Sequence, residues 1–420
     1  MAQATSDVIG LQLEQVRDKL PELFGYPDSL FSKIDTRRDV LKVSSRASRI
    51  PLQIRPGART GQVNLAGGAL GRGTATHYDA ATLTPLAARI AIEINKDALD
   101  QTNGESKAIR KLIALEIKNA MREFRVFWNG QLQTAGNNVI ATTSQGQLAT
   151  DASLTVAVAP FFSQLIRAGQ ILNIYDTTIT TQRGQVTVAS VDYPNNVINL
   201  TGQIGFVVTS GDVILIEGVA GASPAGYFGL PYHHSDSAAG TWLNLSRASV
   251  PEIRANAVHN GQNALTTAPI RLILNKIKQR VNAVNPKQLA AHLHPAQRAA
   301  YEELAILVTE IHKGSGNESI DMLFGDTKLA GVNAMEDIQA ARDRIDFVNF
   351  DTWGKVESAP IDFLKNEDGS YFTRPIDSTT GSPLAATLFY VYWFGQFFID
   401  NPGAVGYIDQ LAIPTGYTTI

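Results

Sequence analysis

His292 and His294 stand two residues apart in the run Gln288-Leu289-Ala290-Ala291-His292-Leu293-His294-Pro295. On a strand that spacing turns both imidazoles to one side, where a pair of nitrogens is the start of a metal site. The chain has no cysteine, and no nearby carboxylate pattern completes a ligand set. The favoured reading is that His294 caps the helix opened by Pro295. His233-His234 lies in a polar stretch and reads as a loop pair. Ser246, His259 and Asp236 are the residue types of a nucleophilic triad, but no G-x-S-x-G elbow surrounds the serine. Their nearness in sequence therefore reads as chance. Glu336, Asp337, Asp343 and Asp346 stand among Arg342 and Arg344, which reads as a solvated or inter-subunit face rather than an acid/base pair. Gly67-Gly68-Ala69-Leu70-Gly71-Arg72-Gly73 does not match G-x-G-x-x-G and lacks a strand leading into a helix, so it reads as a loop tip. No catalytic residue, cofactor or metal is assigned.

One cluster carries a functional expectation. Arg37, Arg38, Arg46, Arg49, Arg55, Arg59 and Arg72, with Lys33 and Lys42, face only Asp35 and Asp39 in the same stretch. Ile50-Pro51-Leu52-Gln53-Ile54-Arg55 alternates like a strand, Pro56-Gly57 is a turn signal, and Gln62-Val63-Asn64-Leu65 reads as the return strand. Large apolar residues are sparse beyond Val43, and an isolated hairpin is marginal in water. Such an arm must lie on something, and a neighbouring subunit is the natural support. Arginine pairs well with carboxylates, so ion pairing to adjacent subunits ranks above contact with DNA phosphate or a merely solvated arm.

The elements around these residues change character along the chain. Val8, Leu11, Leu13, Val16, Leu20 and Leu23 recur at helical spacing over 6–24, with Pro21 near the end. Leu86 to Ile94 alternates as a strand. Thr102-Asn103-Gly104-Glu105 has capping-box spacing, and behind it Ile109, Leu112, Ile113, Ile117, Met121, Phe124 and Trp128 predict one amphipathic helix of about 25 residues stopped near Asn129-Gly130. Short β runs at 171–175, 185–188, 197–200 and 212–216 predict a compact β module within 136–220. Thr267-Ala268-Pro269 opens a helix with Ile270, Ile273, Leu274 and Ile277 inward; a strand at 288–293 and the Pro295 helix follow. Strand character returns at Phe347 to Phe350 and in the aromatic run Leu388 to Phe398.

Composition narrows the functional classes. Charged residues make up 18% of the 420, against the usual quarter or so. Depletion of charge suits a surface buried against neighbours. The net charge of −3 argues against a dedicated nucleic-acid binder, without excluding a container whose DNA is neutralised by small cations. The absence of cysteine fits synthesis in a reducing cytoplasm. The N-terminus lacks a signal peptide, and the longest apolar stretch, Leu384 to Ile399, falls short of the roughly 20 residues of a membrane span.

The order of these parts resembles the major capsid proteins of tailed double-stranded-DNA bacteriophages, the Hong Kong ninety-seven phage fold. Two stretches add to it: Trp242-Leu243-Asn244-Leu245-Ser246-Arg247-Ala248 leading to Pro251-Glu252-Ile253-Arg254, and Leu289 to Gln297 continuing into Tyr301-Glu302-Glu303-Leu304. The resemblance implies an α+β fold with an N-terminal arm over 1–41, an extended loop over 42–88, a peripheral domain over 89–135 carrying a spine helix at 106–132, an inserted β-rich module over 136–220, an axial domain over 229–347, and a C-terminal return to the peripheral domain over 348–420. It implies a structural, non-enzymatic subunit of the virion that assembles with itself into pentamers and hexamers. These would form an icosahedral shell enclosing double-stranded DNA, with a scaffolding protein, a portal and decoration proteins as further partners. Two alternatives stay open: a bacterial nanocompartment shell of the same fold, and a soluble enzyme with a site near His292 and His294.

Overall fold

The computed structural model describes residues 30–36, 41–44, 47–55, 57, 75–95, 106–157, 165–217, 226–281, 289–311, 328–365, 373–376, 381–384 and 386–417. The expected helix over 6–24, the capping box before Ser106 and the return strand at 62–65 lie outside them.

The long helix, α1, spans Ser106–Leu132. It runs through Asn129-Gly130, where the sequence predicts a stop, because tertiary bonds hold that turn. Asn129 Oδ1 accepts from the Leu30 amide at 3.1 Å, and its Nδ2 donates to Asp337 at 2.7 Å and Gln339 at 2.8 Å. Ala120, Phe124, Trp128 and Leu132 recur every four residues and enter the main core. Against them lies a sheet of four strands in the order Asp35–Thr36, Trp353–Phe363, Ala386–Ile399, Leu86–Asn95. Trp128 and Trp393 meet at 4.3 Å between ring centroids, and Tyr227 closes on Trp128 at 4.4 Å. All four tryptophans of the chain are buried: Trp128 and Trp393 at this junction, Trp242 and Trp353 against His233.

The β module is a closed barrel. Its six antiparallel strands run in the order Val139–Thr142, Val213–Ile216, Ile171–Tyr175, Gln182–Asp192, Val197–Leu200, Ser153–Thr155. The two outer strands then join through Ala157 N–H to Thr142 O at 2.8 Å and Ser144 N–H to Thr155 O at 3.0 Å. Closure removes the unpaired edges that an open sheet would expose. The interior is its own apolar core, including Ile140, Leu154, Leu172, Ile174, Val188, Ile198 and Ile214. The chain enters and leaves at one place: Ala135 bridges Phe228, and the Gly226 amide donates to Gly136 O at 2.8 Å. A Cβ on Gly229 would stand 2.3 Å from the Leu132 carbonyl, so the return path fits against the end of α1 only as glycine.

The rest is a mixed six-stranded sheet in the order Asn256–Asn263, Gly406–Leu411, Ile345–Asn349, Leu289–Leu293, Val332–Glu336, Lys328–Leu329. Helix α2, Thr267–Val281, lays Ile270, Ile273, Leu274 and Ile277 on Phe347 and Ile408. Helix α3 runs Pro295–Ile311. Among the described residues no helix is long and apolar enough to cross a membrane.

The arm departs from expectation. Ala47–Arg55 pairs antiparallel with Leu41–Ser44 and with His77–Leu83, so the strand returning beside it begins at His77. Its base is not coreless. Ile50, Ala81 and Leu83 are buried in the main core of their own chain, and the Thr82 amide donates to Leu243 O at 3.0 Å. Sparse apolar residues suffice here because the support comes from the Trp242-Leu243 segment. Tyr78, paired with Gln53 across the hairpin, is 69% exposed.

Candidate functional site

Of the seven arginines of the basic cluster, Arg49 and Arg55 lie in described positions, both exposed on the strand Ala47–Arg55. Arg37, Arg38, Arg46, Arg59 and Arg72 lie outside them. Arg55 Nε donates to Glu252 Oε1 at 2.6 Å, an ion pair within the chain that raises the guanidinium and lowers the carboxyl, each chiefly through that hydrogen bond. It ties the arm to the Pro251–Ile253 turn.

The histidines and carboxylates are spent on structure. His294 Nδ1 accepts from the Ala296 amide at 3.1 Å, the cap expected for the Pro295 helix. Burial, then the charge of Arg342, lowers its pKa to about 4. His292 points elsewhere, 3.2 Å from Asp337 Oδ2 and fully buried. His294 lies just past the strand that holds His292, the two rings do not share a site, and the described residues hold no group of three or more His, Asp or Glu placed for a metal ion.

His233 and His234 are not in a polar loop. Both are fully buried, at the end of the one-turn helix Leu230–His233. Trp242 Nε1–H donates to His233 Nδ1 at 3.0 Å, and burial holds His233 well below its usual pKa. His234 lies 2.9 Å from Asp346 through Nδ1; burial lowers it, against that hydrogen bond. The carboxylate and arginine series near 336–346 is only in part a solvated face: Glu336 is exposed and Asp343 and Arg344 are half-buried. Asp337, Arg342 and Asp346 are buried. Burial pushes the Asp346 carboxyl up, but Arg344 at 2.7 Å and His234 outweigh it and hold it well below the carboxylate range. Sequence alternation of charges missed this because Asp337 and Asp346 also meet Asn129, His292 and His234 from other elements.

His259 and Asp236 do come together, at 3.2 Å, and Asp409 takes the other ring nitrogen at 2.7 Å. With both nitrogens on carboxylates, the ring has none left to activate a hydroxyl, and Ser246 bonds instead to Ser249. The hydrogen bond to Asp409 leads in raising the His259 pKa.

Among the described residues, a half-open cavity of about 390 Å³ lies between α1 and the barrel. Phe124, Phe127 and Gln131 line one side, Leu165 and Arg167 the other, with Gln339 alongside. Glu123 stands at its wall, raised by burial against the charge of Arg167.

This geometry has counterparts among solved structures. Over 96% of this chain and 99% of the other, it superposes on a subunit of the cyanophage A-1(L) capsid with a TM-score of 0.54 at 14% identity. The chain has the Hong Kong ninety-seven capsid fold. Two further likenesses are weaker: the capsid of a native GTA particle, at a TM-score of 0.47, 11% identity and coverage of 98% and 99%, and the holo-SrpI encapsulin of Synechococcus elongatus, at 0.45, 10% and coverage of 97% and 96%. No protein-family model and no curated protein matches the sequence.

Proposed function

We propose that the chain is a structural shell subunit whose copies assemble through pentamers and hexamers into an icosahedral head enclosing double-stranded DNA. The observation that carries the reading is the end-to-end likeness to the cyanophage capsid subunit. Two features support it. The arm is anchored on its own chain while Tyr78 on it stands exposed, and the titratable clusters are consumed by packing. The regions 42–88, 89–135 and 229–347 serve as extended loop, peripheral domain and axial domain. Arg49, with Arg37, Arg38, Arg46, Arg59 and Arg72, contacts carboxylates of adjacent copies. Such contacts are heterologous, one surface meeting a different one on the next copy, and many modest ones add to a stable shell. A scaffolding protein, a portal and decoration proteins complete the virion, and the subunit performs no catalysis. With a net charge of −3 the shell leaves most DNA neutralisation to small cations.

Electron microscopy of the expressed chain, alone and with a scaffolding protein, tests the reading. Closed particles or five- and six-fold rings are expected, and nuclease-protected DNA from infected cells. A strictly monomeric protein under all these conditions sinks it. Particles that copurify with one enzyme instead of DNA mark a nanocompartment.

A further inference from the structure

Acidic residues are missing from one long stretch of the chain. The sequence holds 39 Asp and Glu in 420 residues, yet 253–301 contains none and carries seven Arg and Lys. Within it lies α2, which buries its apolar side on the sheet and exposes the other. Arg271, Asn275, Lys276, Gln279 and Arg280 are exposed on that outer side, and Lys278 is half-buried. At about 1.5 Å of rise per residue, Arg271 to Arg280 spread these cations along about 13 Å of helix.

These charges are not cancelled from within. Among the described residues no carboxylate pairs with Arg271, Lys276 or Lys278. Lys276 Nζ donates to the Ala257 carbonyl at 2.7 Å, and Arg280 donates to the Pro251, Glu252 and Arg254 carbonyls. Those neutral partners hold the two side chains in place and leave their charge standing. The Glu252 carboxylate beside Arg280 is already taken by Arg55. The face also lacks what a protein partner selects. Interface cores are rich in aromatics and poor in lysine, whereas α2 has no aromatic residue, and Leu272 is its only exposed large apolar side chain. Arginine, lysine and side-chain amides without acids are the groups that meet nucleic-acid phosphates.

We infer that the outer face of α2, with Arg271 and Lys278 as its contact residues, meets backbone phosphates of the enclosed duplex DNA without reading its sequence. This rests on the shell reading and deepens it, since it assigns which side of the six-stranded sheet looks inward. The contact is local. A chain of net charge −3 leaves bulk neutralisation to small cations, while α2 supplies a few phosphate contacts per copy, repeated over the shell.

Anisotropy of a short fluorescent DNA duplex, titrated with the unassembled full-length subunit at about 50 to 200 mM salt, tests the face. Wild type binds weakly, with an affinity that falls as salt rises. Arg271→Gln combined with Lys278→Gln weakens binding severalfold. It lowers the slope of log K against log salt by about 2, because each lost phosphate contact removes about 0.9. Lys328→Gln combined with Arg374→Gln removes the same charge from exposed positions on other elements and leaves the slope unchanged. Circular dichroism shows both double variants folded, and both assemble as wild type does. Three results overturn the DNA face and leave the shell reading standing. They are an equal loss of slope in both double variants, an unchanged slope in the α2 variant, and failure of the folded α2 variant to form the particles that wild type forms, which would make the face a contact with protein. Absence of wild-type particles, with and without a scaffolding protein, overturns both.

Discussion

At the scale of residues, the protein's acid sensitivity follows from its buried histidines. His294 has a folded pKa of about 4 against 6.5 for the free side chain, and it caps α3 through an unprotonated nitrogen. Between those values the unfolded chain holds a proton that the folded chain refuses. Stability is therefore full above pH 6.5 and declines as pH falls to about 4, by roughly 3 kcal/mol for this group. His233 and His234 are lowered too and act with the same sign. His259 is raised, so its smaller contribution is complete below pH 6.5 and fades as pH rises through the raised value. Thermal melts from about pH 7.5 to 4.5 measure the slope. His294→Asn keeps a capping side chain but cannot titrate, so its slope is shallower while its neutral-pH melting point drops only slightly. Trp128→Ala removes the ring that joins α1 to the long strands; denaturant midpoints should register a loss of about 3–5 kcal/mol.

At the scale of elements, the barrel behaves as a folding unit of its own. It closes its own edges, holds a separate core and joins the chain at one point. Residues 135–228 expressed alone are expected to give a β-type circular dichroism spectrum and a cooperative melt. An unfolded spectrum would mean that the barrel borrows stability from α1. The hinge region tolerates less. Gly229→Ala drives a methyl into the Leu132 and Thr134 carbonyls, costing about 1–3 kcal/mol, with both melting transitions of the full chain shifted if the junction couples them. Four of the module's six β runs are legible in the sequence as short runs rich in β-branched residues between turn signals. Its closing strands, Val139–Thr142 and Ser153–Thr155, are not, and the pairing that joins them is a tertiary contact that no period shows.

At the scale of the whole molecule, assembly is the observable. On the proposed contacts between copies, Arg49→Glu is expected to weaken assembly while leaving the subunit's own melting point unchanged. Light scattering at increasing salt checks the mechanism, because exposed ion pairs screen within about 10 Å at 0.1 M. Insensitivity to salt would put the arm's contribution in packing instead of charge. Arg55 is a different case: its Glu252 partner belongs to the same chain, so its loss loosens the arm's root before it alters any contact between copies.

By itself the sequence determined the long helix, the module's longer strands, the Pro295 cap and the order of parts that resembles a capsid fold. Those signals are local, carried by period, turn chemistry and capping within a few residues. It did not determine where the charges go. Asp337, Arg342 and Asp346 read as surface and are buried, because their partners, Asn129, His292 and His234 among them, arrive from distant elements. It missed the arm's footing on Leu243 for the same reason, and it gave no sign that the barrel closes or that a cavity stays open beside α1 with an unanswered amide oxygen. Pairing between remote groups is invisible to periodicity, and only the tertiary structure decides it.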